Sequence, residues 1–345
     1  MGMHRVRART AFLVTCSAVT MMAFAGLGRP AAAAENPIVI RMTVDNPPGT
    51  PRAAGEERFA ALVDKMSSGR MKVQIFWSGA LGGSQGAALN TVRAGGAEIA
   101  AISTSNFSAI DRTWAFFDLP FLFDGPTGLY KYMDSADFAS LARSTAQKDG
   151  VHYVFSWFDN WRQLATTKQP IHTPDQMKGI KLRTTGSAIE TAYDTAFGAK
   201  PTSVDWGETY LALKNGLVDG YFIGYTTITN FKQDDAVKYG TTLNVCPIVV
   251  PLFMNESFYQ KLPPDLRKVI DEAGRQAEFA NRKADQSNDT ASRSKLKSEG
   301  FVIYDPTPGE KAEWVAKARP VYAQFESSFP PGMIAKIQSS QLSSK

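Results

Sequence analysis

Apolar residues alternate along Ile38-Val39-Ile40-Arg41-Met42-Thr43-Val44, which puts Ile38, Ile40, Met42 and Val44 on one face of a predicted strand. Turn-forming Asp45-Asn46-Pro47-Pro48-Gly49 follows. A helix then carries Phe59, Leu62, Val63 and Met66 at i, i+3, i+4 and i+7 until Ser67-Ser68-Gly69 stops it. Met71, Val73, Ile75 and Trp77 alternate as a second strand, and the Gly-rich stretch SGALGGSQG (78–86) leads into a helix over 87–94 and a short apolar strand near 99–102. This β-α-β-α-β order predicts a mostly parallel sheet covered by helices, an α/β fold.

A second unit of the same kind starts near Val151, where Val151, Tyr153, Phe155 and Trp157 alternate ahead of Asp159-Asn160-Trp161-Arg162. The extended run Ile180-Lys181-Leu182-Arg183 turns through Thr184-Thr185-Gly186 into a helix at Ser187, where Ser187 and Glu190 have capping-box spacing and Gly198 marks the end. Asp205 and Glu208 start another helix, with Trp206, Tyr210, Leu213 and Leu217 on one side, and the strand 218–223 follows. Pro263-Pro264 opens a helical pattern that runs to about Glu299; at about 1.5 Å per residue it spans roughly 50 Å, more than one small lobe needs. Two comparable α/β units predict two lobes with a cleft between them, and the long helix either ties the lobes together or packs its polar tail on one of them. The expected division is 35–158 plus about 248–285 for lobe I, and 159–247 plus about 286–345 for lobe II.

Residues 1–34 fall outside that pattern. Arg5, Arg7 and Arg9 precede an apolar run over 11–27, and Ala32-Ala33-Ala34 gives a small-residue cleavage pattern, so a signal peptide cut before Glu35 is expected, with a periplasmic destination. The apolar run is short for a membrane span, so the processed chain is expected not to cross the bilayer. The leader takes four arginines and no acid with it, and the net charge falls from +5 to about +1. The basic balance thus belongs mainly to the leader and is no argument for nucleic acid, which demands a clustered cationic face. Cys246 alone remains of the cysteines, so no internal disulfide can form.

Candidate chemistry is sparse. SGALGGSQG lacks the Gly-Lys-Ser/Thr ending of a phosphate loop and does not fit GxGxxG, which leaves a tight strand-to-helix turn lining a cleft. His152, His172 and Cys246 are scattered, no acidic cluster has calcium-loop spacing, and no Gly-x-Ser-x-Gly elbow is present; no metal, cofactor or enzymatic activity is expected. Arg183 and Arg162 stand out, because each follows an extended run and each guanidinium can meet a carboxylate with two parallel hydrogen bonds. Aromatics crowd the same regions: Trp161 beside Arg162, Trp206 before its helix, and Tyr221 and Phe222 after Gly220.

Gly179–Arg183, then Gly198-Ala199-Lys200-Pro201, Glu208–Leu213 and Gly216–Gly220, with SGALGG (78–83) and DLPFLF (118–123) earlier, resemble in order and spacing the DctP-type substrate-binding proteins of TRAP (tripartite ATP-independent periplasmic) transporters. The resemblance covers about residues 38–330. It implies a two-lobed periplasmic-binding-protein architecture with a long helix spanning both lobes, in a periplasmic protein that binds a small organic acid in the cleft between them and delivers it to a membrane permease. It also implies that Arg183 grips the substrate carboxylate and that Arg162 assists. Asn46, Gln85 and Asn106 are expected first-lobe contacts. Where the family often continues Gln-Glu-Asn-Pro after Val-Asp-Gly, with the asparagine holding ligand, this chain has Tyr221-Phe222-Ile223-Gly224. That departure suggests a monocarboxylate with an apolar or aromatic body, walled by Tyr221, Phe222 and Trp206. The alternative is that Tyr221 and Phe222 pack internally and the ligand is a small hydroxy or keto acid; a dicarboxylate also stays open. A binding protein coupled to a sensor or an ABC permease stays open as the assembly, and a secreted hydrolase is the rival from another class.

Overall fold

The structure is a computed structural model and describes residues 36–342; the expected leader, 1–34, lies outside them. Its strands are β1 (Ile38–Thr43), β2 (Met71–Phe76), β3 (Ile99–Ala101), β4 (Val151–Trp161), β5 (Gln163–Thr166), β6 (Lys181–Thr184), β7 (Lys200–Ser203), β8 (Gly220–Ile223), β9 (Tyr239–Thr241), β10 (Pro247–Asn255) and β11 (Val302–Tyr304). They form two sheets, one ordered β2-β1-β3-β10-β4 and the other β11-β9-β5-β8-β6-β7. The architecture is α/β and two-lobed. In the first sheet, β2, β1 and β3 run parallel as the alternating segments predicted.

The chain passes between the sheets three times, twice in short backbone runs that lie side by side and once through a long helix. Between β4 and β5 only Arg162 intervenes, and the return runs through Val245-Cys246 into β10. The two crossings are tied together: Arg162 N donates to the Cys246 carbonyl at 2.8 Å, and Val245 N donates to the Arg162 carbonyl at 2.9 Å.

The periodicity did not reveal β10. Its sequence PIVVPLFMN carries two prolines, each unable to donate to a ladder, and such a run reads as an edge or a loop. It is nevertheless interior, antiparallel to both β3 and β4, with register shifts at Ile248/Val249 and Leu252/Phe253. Pro251 still serves the ladder as an acceptor, taking the N–H of Ile102 at 3.0 Å.

The long helix, Pro264–Ser298, has 35 residues. It packs on the helix Pro51–Met66 and on β4 at one end, and on the helix Tyr225–Asn230 and on β11 at the other, so it bridges both sheets. The last helix, Met333–Leu342, packs on Pro126–Met133, a segment the sequence placed in the first lobe.

Gly220, within Val-Asp-Gly, has a steric reason to be glycine. A Cβ there would meet the Ala165 carbonyl oxygen at 2.4 Å across the antiparallel β5–β8 pair. Gly220→Ala is therefore expected to lower the unfolding free energy by about 1–3 kcal/mol, read as a lower midpoint in urea melts at unchanged slope. An unchanged midpoint would show that the strand pair can part freely.

Candidate functional site

A cavity with about 450 Å³ of atom-free space, counted to its open mouth, lies between the sheets. Asp45, Arg52, Gln85, Ser103 and Asn106 reach it from the first-sheet side; Arg183, Thr185, Trp206, Ile223 and Phe231 reach it from the second; Asp159, Arg162, Ile248 and Val250 flank the crossings. A neighbouring hollow shares Asp45, Gln85, Asn106 and Trp206 with it and is rimmed by Gly79, Gly83 and Ser84, so the Gly-rich turn does border the cleft.

Arg183 is 5 % exposed. Its Nε donates to the Val204 carbonyl at 2.9 Å, and the guanidinium carbon stands 5.7 Å from the Trp206 ring centroid. Neither Nη atom has a hydrogen-bond or ion-pair partner among the described residues. Burial, reinforced by the like charge of Arg162 and only partly opposed by Glu190, pushes its pKa down to about 10. A buried, uncompensated fork is costly to hold and favours any anion that can dock on it.

Arg162 lines the same cavity with its charge already answered. Its Nη2 lies 2.7 Å from Glu190 Oε1, as an ion pair rather than a directed hydrogen bond. Nη2 also donates to Ser105 Oγ at 2.9 Å, and Nη1 donates to the Phe222 carbonyl at 3.0 Å. Burial alone would lower its pKa, but Glu190 and the other anionic neighbours hold it above the ordinary arginine range. Glu190 does not close the expected capping box: its Oε2 accepts from Thr185 N and Oγ1, both at 2.7 Å, and its other oxygen faces Arg162. Asp118, from the DLPFLF segment, accepts from Ser105 Oγ at 2.6 Å and Ser187 Oγ at 2.8 Å, joining the two sides behind the cavity.

Arg52 is a third cavity arginine, and the sequence reading missed it. It pairs with Asp45 through Nη2 and with Asp159 Oδ2 at 3.0 Å through Nη1. Its Nε donates to Asn46 Oδ1 at 2.9 Å, with Glu56 Oε1 3.7 Å away. Asp45 also takes Gln85 Nε2 at 2.6 Å, while Gln85 Oε1 receives the N–H of Ser103 at 2.7 Å and Asn106 Nδ2 at 3.0 Å. Gln85 and Asn106 thus reach the cavity as expected. Asn46 does not: it is buried behind Arg52, donating to Glu56 Oε2 at 3.0 Å, and its neighbour Asp45 faces the cavity instead.

The aromatic wall also differs from the one read in the sequence. Trp206 lines the cavity, edge-on to Phe231 at 4.9 Å between centroids. Tyr221, Phe222 and Trp161 do not line it. Tyr221 is fully buried and donates its hydroxyl to Gln233, Phe222 packs against Tyr193 and Phe197, and Trp161 packs edge-on to Phe158. Side chains alternate across a strand, so on β8 Tyr221 and Phe222 enter opposite cores, and the residue at the strand end, Ile223, meets the cavity. Ile223 stands where the DctP pattern has its asparagine.

Among the described residues no group of three or more His, Cys, Asp or Glu could hold a metal ion, and no helix is long and apolar enough to cross a membrane.

With this geometry in place, the likeness to known proteins is extensive. The family model for bacterial extracellular solute-binding protein, family 7 (DctP), matches residues 42–328. The C4-dicarboxylate-binding protein DctB of Bacillus subtilis is 26% identical over 289 residues, covering 84% of this chain and 82% of the relative. A TRAP periplasmic solute-binding protein from Sulfurospirillum deleyianum, solved with bound succinate, superposes with a TM-score of 0.82 at 28% identity, over 88% of this chain and 99% of that one. Another from Chromohalobacter salexigens, solved with bound D-glucuronate, gives 0.83 at 25% identity, over 88% of this chain and 100% of that one.

Glu56 supplies a pH test of the polar cluster. Burial, against the opposing pull of Arg52, raises its pKa from 4.5 to about 8. Between those two values the folded protein keeps a proton that the unfolded chain has released, so this group's contribution to stability falls as pH rises and is flat below both values. Urea melts at pH 5, 6.5 and 8 should show wild type losing stability relative to Glu56→Gln across that window. A pH-independent difference would mean that Glu56 is ionised in the fold throughout.

Proposed function

The chain belongs to the bacterial extracellular solute-binding proteins of family 7, and we propose that it captures a small organic monocarboxylate between its lobes and delivers it to the membrane permease of a TRAP transporter. The observation that carries this reading is the unpaired fork of Arg183, 5 % exposed and lining the interlobal cavity. The leader read over residues 1–34 supports export to the periplasm. The family, and the small acids named for its relatives, support an acid as cargo.

Capture follows from the charge arrangement. In the open state water solvates the fork; an arriving carboxylate replaces it with charge-assisted hydrogen bonds of about 1.5–3 kcal/mol each. Drawing the lobes together removes the pair from water and adds contacts from the first lobe, so ligand shifts the open–closed balance by its preference for the closed form. Trp206, Phe231, Ile223, Ile248 and Val250 give the ligand an apolar flank, which supports a body with hydrocarbon or ring surface. The aromatic contribution comes from Trp206 and Phe231 rather than from Tyr221 and Phe222. A dicarboxylate is the second reading, favoured by the cargo named for the Bacillus subtilis and Sulfurospirillum deleyianum proteins.

Mass spectrometry of co-purifying acids and calorimetry with a panel of small carboxylates test the reading. Arg183→Ala should weaken acid binding by about 2–5 kcal/mol, because the carboxylate would lie buried without its partner. Arg183→Lys should weaken it too, since an ammonium cannot reproduce the fork. Near-native affinity in the alanine variant would remove Arg183 from the site. Arg162→Ala is expected to act differently, lowering the melting temperature even without ligand, because it strands Glu190 as a buried charge.

A further inference from the structure

We infer that the Asp45–Arg52–Asp159 bridge makes the cavity selective: it refuses a second carboxylate and accepts, at that wall, a ligand group that donates a hydrogen bond. This rests on the reading that Arg183 takes the ligand's carboxylate.

A dicarboxylate needs two cationic contacts. Among the described residues three arginines line the cavity, and of these only Arg183 has a fork without a protein anion on it. Arg162 is held by Glu190 at 2.7 Å. Arg52 is 8 % exposed and sits between two acids, Asp45 and Asp159, with its Nε turned to Asn46. Counting one positive and two negative charges, that wall is net negative. A ligand carboxylate placed there meets like charge in a site partly withdrawn from water, and such juxtapositions cost several kcal/mol.

The same wall has acceptor capacity to spare. Arg52 occupies Asp159 Oδ2, and no hydrogen bond reaches Asp159 Oδ1 among the described residues. Both oxygens of Asp45 are taken, by Arg52 and by Gln85 Nε2, which fixes that side chain. Asp159 therefore offers an ionised oxygen to a ligand hydroxyl or ammonium while its partner oxygen keeps it in place. The charged groups nearest in effect to Arg183 are Glu190 and Arg162, and those on Asp159 are Arg52 and Asp45. The two groups thus sit in separate electrostatic neighbourhoods, one suited to each end of a bipolar molecule. An acid with one carboxylate and a hydroxyl or amino group matches both.

Calorimetry with matched sets of three- to six-carbon acids tests the inference: the plain acid, the ω-hydroxy acid, the ω-amino acid and the α,ω-dicarboxylate of each length. With wild type, the hydroxy or amino member of the best-bound set should bind at least about tenfold tighter than its dicarboxylate, and tighter than its plain acid. The hydroxy and amino arms separate the two kinds of donor. Asp159→Asn should narrow the ratio to the dicarboxylate by about tenfold. Asp45→Asn makes the same charge change without touching Asp159 Oδ1, and it serves if the first variant melts early. A dicarboxylate bound as tightly as the donor-bearing acids, a ratio unchanged in both variants, or no donor-bearing member binding at all would overturn the inference. Loss of the Arg183 reading has a different signature: Arg183→Ala would then leave binding intact, whatever the ratios.

Discussion

An arginine withdrawn from water without a counterion is the constraint on which the site depends. Isolated burial of a cation is strongly unfavourable, and proteins ordinarily pair it or expose it. Among the described residues nothing pairs with the Arg183 fork, and the side chain is buried: one nitrogen is satisfied by the Val204 carbonyl and an aromatic face lies near. Two large apolar cores, each drawing residues from both sheets, supply the stability against which that cost is set.

The neighbouring arginines show what full compensation looks like in the same setting. Arg162 occupies the one residue between β4 and β5, where its side chain ties Glu190, Ser105 and the Phe222 carbonyl together. Asp118 extends that network through Ser105 and Ser187 to both sides of the cleft. Arg52 does the same work within the first lobe. Three guanidiniums with one chemistry therefore divide into two structural ties and one open contact, and the division is set by which carboxylates the fold brings near.

Much of this was legible in the chain. Alternation gave β1, β2 and the start of β4, the run ending at Arg183 gave β6, and Pro263-Pro264 gave the start of the long helix. Arg183 ends a strand and Gln85 sits in a Gly-rich turn, positions that face a cleft in such folds, and Trp206 and Asn106 line the same cavity. What escaped has physical causes. The prolines of β10 hid an interior strand, in which a register shift follows shortly after each of them. Arg52 lies in the first helix, where a single charge reads as solvent-facing, and only its three-dimensional neighbours Asp45 and Asp159 reveal its burial. Tyr221 and Phe222 are neighbours in sequence, so a wall and an internal packing are both open from the chain alone; in β8 they turn to opposite cores, and Ile223 at the strand end meets the cavity.

The 35-residue helix has a mechanical corollary. Because it is seated on β4 near one end and on β11 near the other, it acts as a strut across a joint whose axle is the paired backbone at Arg162 and Cys246. Any swing of one lobe about that axle must bend the strut or make it slip along a seat. Its polar middle, Gln286-Ser287-Asn288-Asp289, has less apolar grip than the ends, and strain from the swing would collect there.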